Sequence, residues 1–174
     1  MKYTWENMPS GVVKVSTDGT SYAVPTIHQT NPNYPDYLRA LRYLPIVRRH
    51  CGRVPENWGL AIIFAENSGE KDVSLAGAVG VMQVLPSTAK MTTMQLMHVE
   101  KNIEAGCRVL RSLAALPGAD LVSVASMYNA GGQNNGRPHP GKGPFGFAEA
   151  DGYIVRVLSA ANEFLVRPPL SEAI

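Results

Sequence analysis

Histidine is scarce in the 174 residues: His28, His50, His98 and His139 are scattered, with no HExxH or HxH spacing. Metal chemistry is poorly supported by such a set, and no metal site is expected. Cysteine is scarcer still, with Cys51 and Cys107 only. Thiol catalysis would need one of them beside a histidine in space, and His50, next to Cys51 on a helix, points elsewhere. The two could pair, but Cys107 falls on the buried stripe of its own helix, so two reduced thiols are the default expectation. No run of about 18 apolar residues could cross a membrane. The first residues, "MKYTWENMPSGVV", lack the apolar stretch of a secretory signal. Charge of either sign is modest, with a formal net charge of +2. That is too little to argue nucleic acid, and no basic cluster is interleaved with aromatics. "HPGKGPFG" lacks the phosphate-loop pattern, so nucleotide binding is also weak. No cofactor is expected.

What is present describes an ordinary globular domain. Hydrophobic residues make up 45% and charged residues 17%, enough to bury a real core. The mild basic bias suits an anionic surface such as a cell wall. Residues 1–35 are polar and β-branched, punctuated by Pro9, Pro25, Pro32 and Pro35. They read as an irregular N-terminal arm with a short hairpin around "TDGTSY", ahead of a mainly α-helical domain over 36–174. Asp36 opens a helix with Tyr37, Leu38, Leu41 and Leu44, and Pro45 either kinks it or starts a second. Another helix is expected over Asn57–Ser68, capped by Asn57. "LAGAVGVMQVLPSTAK" reads as a packed loop leading into a turn of helix at "PSTAK". A helix beginning at Asn102 puts Ile103, Cys107, Leu110 and Ala114 on one stripe. Asp120 caps the next, which stops at Gly131. The last runs from Tyr153 to about Val166, with Ile154, Val157, Leu158, Ala161 and Phe164 inward. Between these two, residues 131–152 are rich in Gly, Pro and Asn, a length usually functional or mobile. They are expected to border the functional cleft.

One detail in this plan asks for chemistry. In "AIIFAENSGE" four apolar residues run into Glu66, and nothing basic stands within four positions. The glutamate falls in the last turn of its helix, at the edge of the apolar face. The negative end of the helix dipole and the apolar surroundings both disfavour a charge there. A carboxyl kept protonated near neutral pH can serve as a general acid.

Five segments, "AIIFAENSG", "GAVGVMQVLPSTA", "NIEAG", "SMYNAG" and "YIVRV", occur in the order and approximate spacing of the lytic transglycosylases, which the chain resembles over about residues 57–165. That family belongs to the lysozyme-like superfamily with goose-type lysozyme, and the resemblance implies that fold. It implies Glu66 as the catalytic acid. It also implies that Gly80, Met82 and Gln83 line a glycan cleft, Met82 with an apolar sugar-facing surface and Gln83 with its amide. Tyr128 would reach towards the glutamate and Asn129 would hold an N-acetyl group. Glu104 would be a sugar or supporting contact, and Tyr153 would lie over the cleft. The family usually has serine directly after the glutamate; here Asn67 stands there, and Asn67 or Ser68 would take that part.

The implied substrate is the peptidoglycan glycan strand, and the implied reaction uses one carboxyl where most glycosidases use two. Glu66 donates to the leaving glycosidic oxygen, then takes the proton of the muramoyl C6 hydroxyl as it attacks C1, giving a 1,6-anhydro product. An inverting hydrolase of the same fold is the first alternative, with Glu70 or Asp72 activating water. A muralytic peptidase on the same scaffold and a non-catalytic glycan-binding or virion structural protein are the others. A monomer carried by a phage particle, or otherwise delivered to the wall, fits the reading.

Overall fold

The computed structural model describes residues 3–7, 12–17 and 20–25 as backbone, and residues 32–66, 72–130 and 151–166. Most of the described chain is helical. Among the described residues eight helices follow three short strands: β1 (Tyr3–Asn7), β2 (Val12–Thr17) and β3 (Thr20–Pro25), then α1 (Tyr34–Leu41), α2 (Leu44–His50), α3 (Glu56–Glu66), α4 (Pro86–Ala89), α5 (Thr93–Leu96), α6 (Val99–Ala114), α7 (Leu121–Ala130) and α8 (Asp151–Val166). The strands form one antiparallel sheet in the order β1-β2-β3. Thr17 pairs with Thr20, which leaves Asp18 and Gly19 between them, the dipeptide that two-residue hairpins favour. The expected hairpin is there as β2 and β3, and the described parts of the arm through Pro25 are all strands. "YTWEN" adds a third strand on β2, from Tyr3 opposite Thr17 to Asn7 opposite Val13. Five residues are too few to show a convincing alternation on their own.

The core is built around α3. Leu60, Ala61, Ile62, Ile63 and Phe64 are all 1% exposed or less, so every side of this helix is covered. A helix apolar all round belongs in the middle of a domain, not on its surface. The expected single apolar face of Trp58, Ala61, Ile62 and Ala65 is therefore only part of its buried surface. Asn57 does not cap the helix, which starts one residue earlier. Its side chain is buried and its Nδ2 donates to the carbonyl of Ala161 in α8 at 3.3 Å.

Around α3 the remaining helices follow the sequence pattern closely. Pro45 starts α2 from its first turn, where a missing N–H costs nothing. Tyr37 of α1 stacks on Phe164 of α8, ring centroids 4.6 Å apart. The inward set on α8, Ile154, Val157, Leu158, Ala161 and Phe164, is buried throughout. Asp120 caps α7 as expected, its Oδ1 accepting from the amide of Ser123 at 2.8 Å. The short α5 was not foreseen; Thr92 and Gln95 close a reciprocal capping box over it. Helix α6 begins at Val99, not at Asn102, whose side chain serves another purpose described below.

The two cysteines correct the sequence expectation. Cys51, at the end of α2, is bonded to Cys107 of α6, with Cα atoms 4.7 Å apart. Both are buried, which the apolar stripe required, and a half-cystine meets that requirement as well as a thiol. Helix α3 presses on the same junction. A Cβ on Gly59 would lie 2.8 Å from Val47 and 3.1 Å from the Cys51 sulfur, so only glycine lets the helices approach this closely. Among the described residues, no helix is long and apolar enough to cross a membrane.

Candidate active site

Two hydrogen bonds tie α3 to α8, and together they set the direction of the pair. Asn57, near the start of α3, reaches Ala161, late in α8. Glu66, the last residue of α3, accepts from Tyr153, in the first turn of α8. The helices are therefore antiparallel, and the end of the most buried helix meets the beginning of the last one. The Tyr153 hydroxyl donates to Glu66 Oε1 at 2.8 Å, and the tyrosine is half-buried. Glu66 is half-buried too, at the boundary between the packed helix and the surface.

A second tyrosine shares this corner. Burial pushes the Tyr128 phenol well above its usual range, and the charge of Glu66 raises it further. Tyr153 is raised for the same reasons in the same order, with smaller effects from Tyr128 and from its hydrogen bond to Glu66. Both phenols are thus held as neutral dipoles beside a carboxyl group at any ordinary pH. The Tyr128 hydroxyl donates to the backbone carbonyl of Met82 at 2.8 Å, which brings the 79–83 turn to the same place.

That turn is unusually tight. Gly80 has φ +75°, and a Cβ there would lie 2.4 Å from Asn102 Nδ2, so glycine is required both by backbone conformation and by space. Gln83, with φ +47°, is a non-glycine residue in the left-handed region. Its amide nitrogen Nε2 donates to the Gly80 carbonyl at 2.8 Å, closing the turn on itself. Asn102, 1% exposed, holds the other side. Its Oδ1 accepts from the Met82 amide at 2.9 Å, and its Nδ2 donates to the carbonyls of Val79 at 2.7 Å and Leu96 at 3.1 Å. Asp72 is exposed and stands on the approach to this turn, its backbone carbonyl accepting from Gly80. A small cavity of about 70 Å³ lies there between Asp72, Gly80 and Asn102.

The residues singled out from sequence are thus distributed unevenly. Glu66, Tyr128 and Tyr153 converge, and Gly80 and Gln83 belong to the turn linked to them. Met82 needs correction. Its side chain is fully buried and packs on Gly106, where a Cβ would come within 2.4 Å of its sulfur, so it offers no sugar-facing surface. The part of Met82 that serves the site is its backbone. Asn129 is exposed next to Tyr128 near the end of α7. Glu104 is half-buried on α6 and pairs with Arg108 one turn on, at 3.6 Å. Asn67, Ser68 and Glu70, and the 131–150 part of the expected cleft loop, lie outside the described residues. Asn102 was read as a helix start and not as a site residue; its three bonds are all to backbone groups, which leave no trace in the pattern of side chains.

The chain has counterparts among known proteins. Membrane-bound lytic murein transglycosylase C of Histophilus somni, in two strains, is 31% identical over 116 residues, covering 54% of this chain and 32% of the relative. The chain therefore spans about a third of the length of these curated relatives. Among solved structures, the 70 kDa soluble lytic transglycosylase of Escherichia coli matches with a TM-score of 0.60 at 22% identity, over 71% of this chain and 24% of that one. An inactive variant of the lytic transglycosylase Slt of Pseudomonas aeruginosa matches with a TM-score of 0.53 at 23% identity, over 75% of this chain and 23% of that one. These likenesses establish the fold. The model of the transglycosylase SLT domain matches residues 46–146, more than half of the chain and the stretch that holds Glu66, the Gly80 turn and Tyr128, and the protein belongs to that family.

Proposed function

We propose that the domain is a peptidoglycan lytic transglycosylase with Glu66 as its single acid and base. The observation that carries the reading is the Tyr153–Glu66 hydrogen bond of 2.8 Å at the mouth of the buried helix. In its protonated form, a carboxyl whose Oε1 accepts from Tyr153 carries its proton on Oε2, and this is the proton given to the glycosidic oxygen. Loss of the leaving group builds positive charge on the sugar, in an oxazolinium-like intermediate. The neutral Tyr128 and Tyr153 dipoles, already oriented, stabilise it without reorganising. The carboxylate then removes the proton of the muramoyl C6 hydroxyl as that oxygen bonds to C1 and displaces the N-acetyl oxygen from it. The proton account closes on one residue, and the product is a 1,6-anhydro sugar. Gln83 and Asn129 are proposed as glycan contacts, Gly80 as the position that lets the backbone come close, and Glu104 and Ser68 as outlying ones.

The place of action proposed is the cell wall. The curated relatives are named as murein transglycosylases. The disulfide suits an oxidising compartment such as the periplasm. Delivery by a virion as a monomer is compatible with this and is tested separately by looking for the chain in purified particles.

The test is Glu66→Gln on purified sacculi, with the released fragments identified by mass spectrometry. Glutamine keeps an oxygen for Tyr153 but can neither donate nor recover the proton. General acid–base catalysis is typically worth about 10²–10⁴-fold, and one residue here supplies both halves, so activity should fall at least about a thousandfold. The melting temperature should stay level or rise slightly. The parent should release anhydro-muropeptides. Asp72→Asn and Glu70→Gln should leave substantial activity; reducing ends that vanish with either change mark the inverting hydrolase instead, and freed stem peptides mark a peptidase.

A further inference from the structure

We propose that Asn102 is a positioning residue for this site: through the 79–83 turn it fixes the Met82 carbonyl on which the Tyr128 hydroxyl is seated. The inference rests on the lytic transglycosylase reading for its kinetic consequence, but its geometry stands apart from it. Asn102 grips both ends of the turn, taking the Met82 amide on Oδ1 and the Val79 carbonyl on Nδ2. The backbone of Met82 is thereby held at its nitrogen by α6, and at the other end of the same residue its carbonyl receives Tyr128. One turn further along α6, Gly106 receives the Met82 side chain, so Asn102 and Gly106, four residues apart on one helical face, hold the same residue by backbone and by side chain. A short bridge of contacts therefore runs from α6 through Met82 to Tyr128. Asn102 acts in it through backbone groups alone. Its output is the location of a phenol oxygen.

The buried amide also has a use for each of its polar atoms, and of its three partners the Val79 carbonyl alone is shared, with the Val84 amide. Aspartate keeps the acceptor for Met82 but turns a second acceptor onto two carbonyls. Alanine removes all three bonds and leaves the Met82 amide and the Val79 carbonyl buried without that partner. Either change releases the turn, and the Tyr128 hydroxyl with it.

The test combines spectroscopy with a kinetic cycle. In the parent protein, nuclear magnetic resonance should show the Met82 amide strongly protected from hydrogen exchange. A Met82 amide exchanging at the unprotected rate overturns the proposal with no variant needed. In Asn102→Ala and Asn102→Asp, with folding checked by circular dichroism, that protection should be lost and the Tyr128 Cζ resonance should move. On sacculi fragments kcat should fall by about tenfold to a hundredfold, with KM changed far less, as for a displaced catalytic group. Tyr128→Phe alone should lower kcat comparably while leaving Met82 protected. Adding Asn102→Asp to Tyr128→Phe should then cost little more, because both remove the same oriented hydroxyl. Penalties that multiply, or a folded Asn102 variant with an unmoved Tyr128 resonance, would reduce Asn102 to a purely structural residue. Should the parent yield no anhydro product, the functional reading fails, and the exchange and resonance arms still decide the positioning claim.

Discussion

Glu66 illustrates what a single residue discloses and what it withholds. An acid ending an apolar helix was visible in ten letters, because burial and charge are both properties of local composition. Its partner was not. Tyr153 lies 87 positions away, and only the antiparallel packing of α3 on α8 brings its hydroxyl to 2.8 Å. Tyr128 and Tyr153 entered through a family likeness, and their physical state follows from the fold. Burial and the Glu66 charge lift both phenols well above their usual range. The unfolded chain releases these protons near pH 10, its ordinary tyrosine value. Above that pH the native state binds more protons than the unfolded one, so stability falls as pH rises. The contribution is fully present below about pH 10 and is lost as pH climbs through the raised native values. Urea unfolding of the parent between pH 8 and 11 should therefore show a steep alkaline decline. Tyr153→Phe removes one of the two groups and should flatten it, whatever it does to stability at neutral pH. Parallel declines in parent and variant would mean that Tyr153 titrates normally. The same change should lower activity by about tenfold or more, as expected when a group that orients a general acid is lost.

Among the elements, those marked by periodicity or by caps were legible: α8 from its inward apolar set, α7 from Asp120, α2 from its proline. The misreadings share a cause. Asn57 looked like a helix cap and Asn102 like the start of a helix, since asparagine favours helix beginnings. Each instead sits inside a helix and spends its amide on a distant backbone carbonyl. Hydrogen-bonding capacity is local information, but its destination is not. The close approach of α6 to the turn gives a test of packing at this level. Gly106 leaves no room, with Met82 Sδ, Cε and Cβ at 2.4, 2.8 and 2.9 Å from where a Cβ would stand. The sulfur and methyl can swing aside, but the Met82 Cβ is fixed by a backbone that Asn102 holds. Gly106→Ala should therefore destabilise by about 1–3 kcal/mol, the usual cost of overpacking, despite alanine's better helix propensity. Chemical denaturation measures it. Met82→Ala destabilises alone by emptying the same space, and combining the two should cost less than the sum. Strict additivity would show that Gly106 and Met82 do not meet.

The molecule as a whole is organised by a covalent loop that composition alone argued against. The Cys51–Cys107 bond joins residues 56 apart. That loop encloses α3 with Glu66, the Gly80 turn and Asn102, whereas Tyr128 and Tyr153 come from helices outside it. The acid and its phenols are thus assembled across the boundary of the loop, by packing of α3, α7 and α8 rather than by the bond itself. Two consequences separate. Closing a loop of this length removes unfolded-chain entropy worth about 4 kcal/mol in the chain-entropy model. Cys51→Ala/Cys107→Ala should lower the melting temperature by about 10 °C, taking the shift per kcal/mol usual for a chain of this size. Yet the native contacts at Glu66 do not pass through the sulfurs, so the variant should keep activity within about threefold at a temperature where it remains folded. The bond is also buried, both cysteines being 2% exposed or less. A mild reductant should therefore act on the native protein slowly, at a rate that rises as denaturant opens the fold. Three measurements check this: thiol titration of the unfolded parent without reductant, which should find no free thiol; melting curves of parent and double variant with and without reductant; and sacculi digestion at low temperature. A double variant melting within about 2 °C of the parent would show that the bond leaves the unfolded chain nearly as free as before. A folded variant that melts lower and is also inactive would place the disulfide in the positioning of Glu66, and move control of the site from helix packing to the α2–α6 junction.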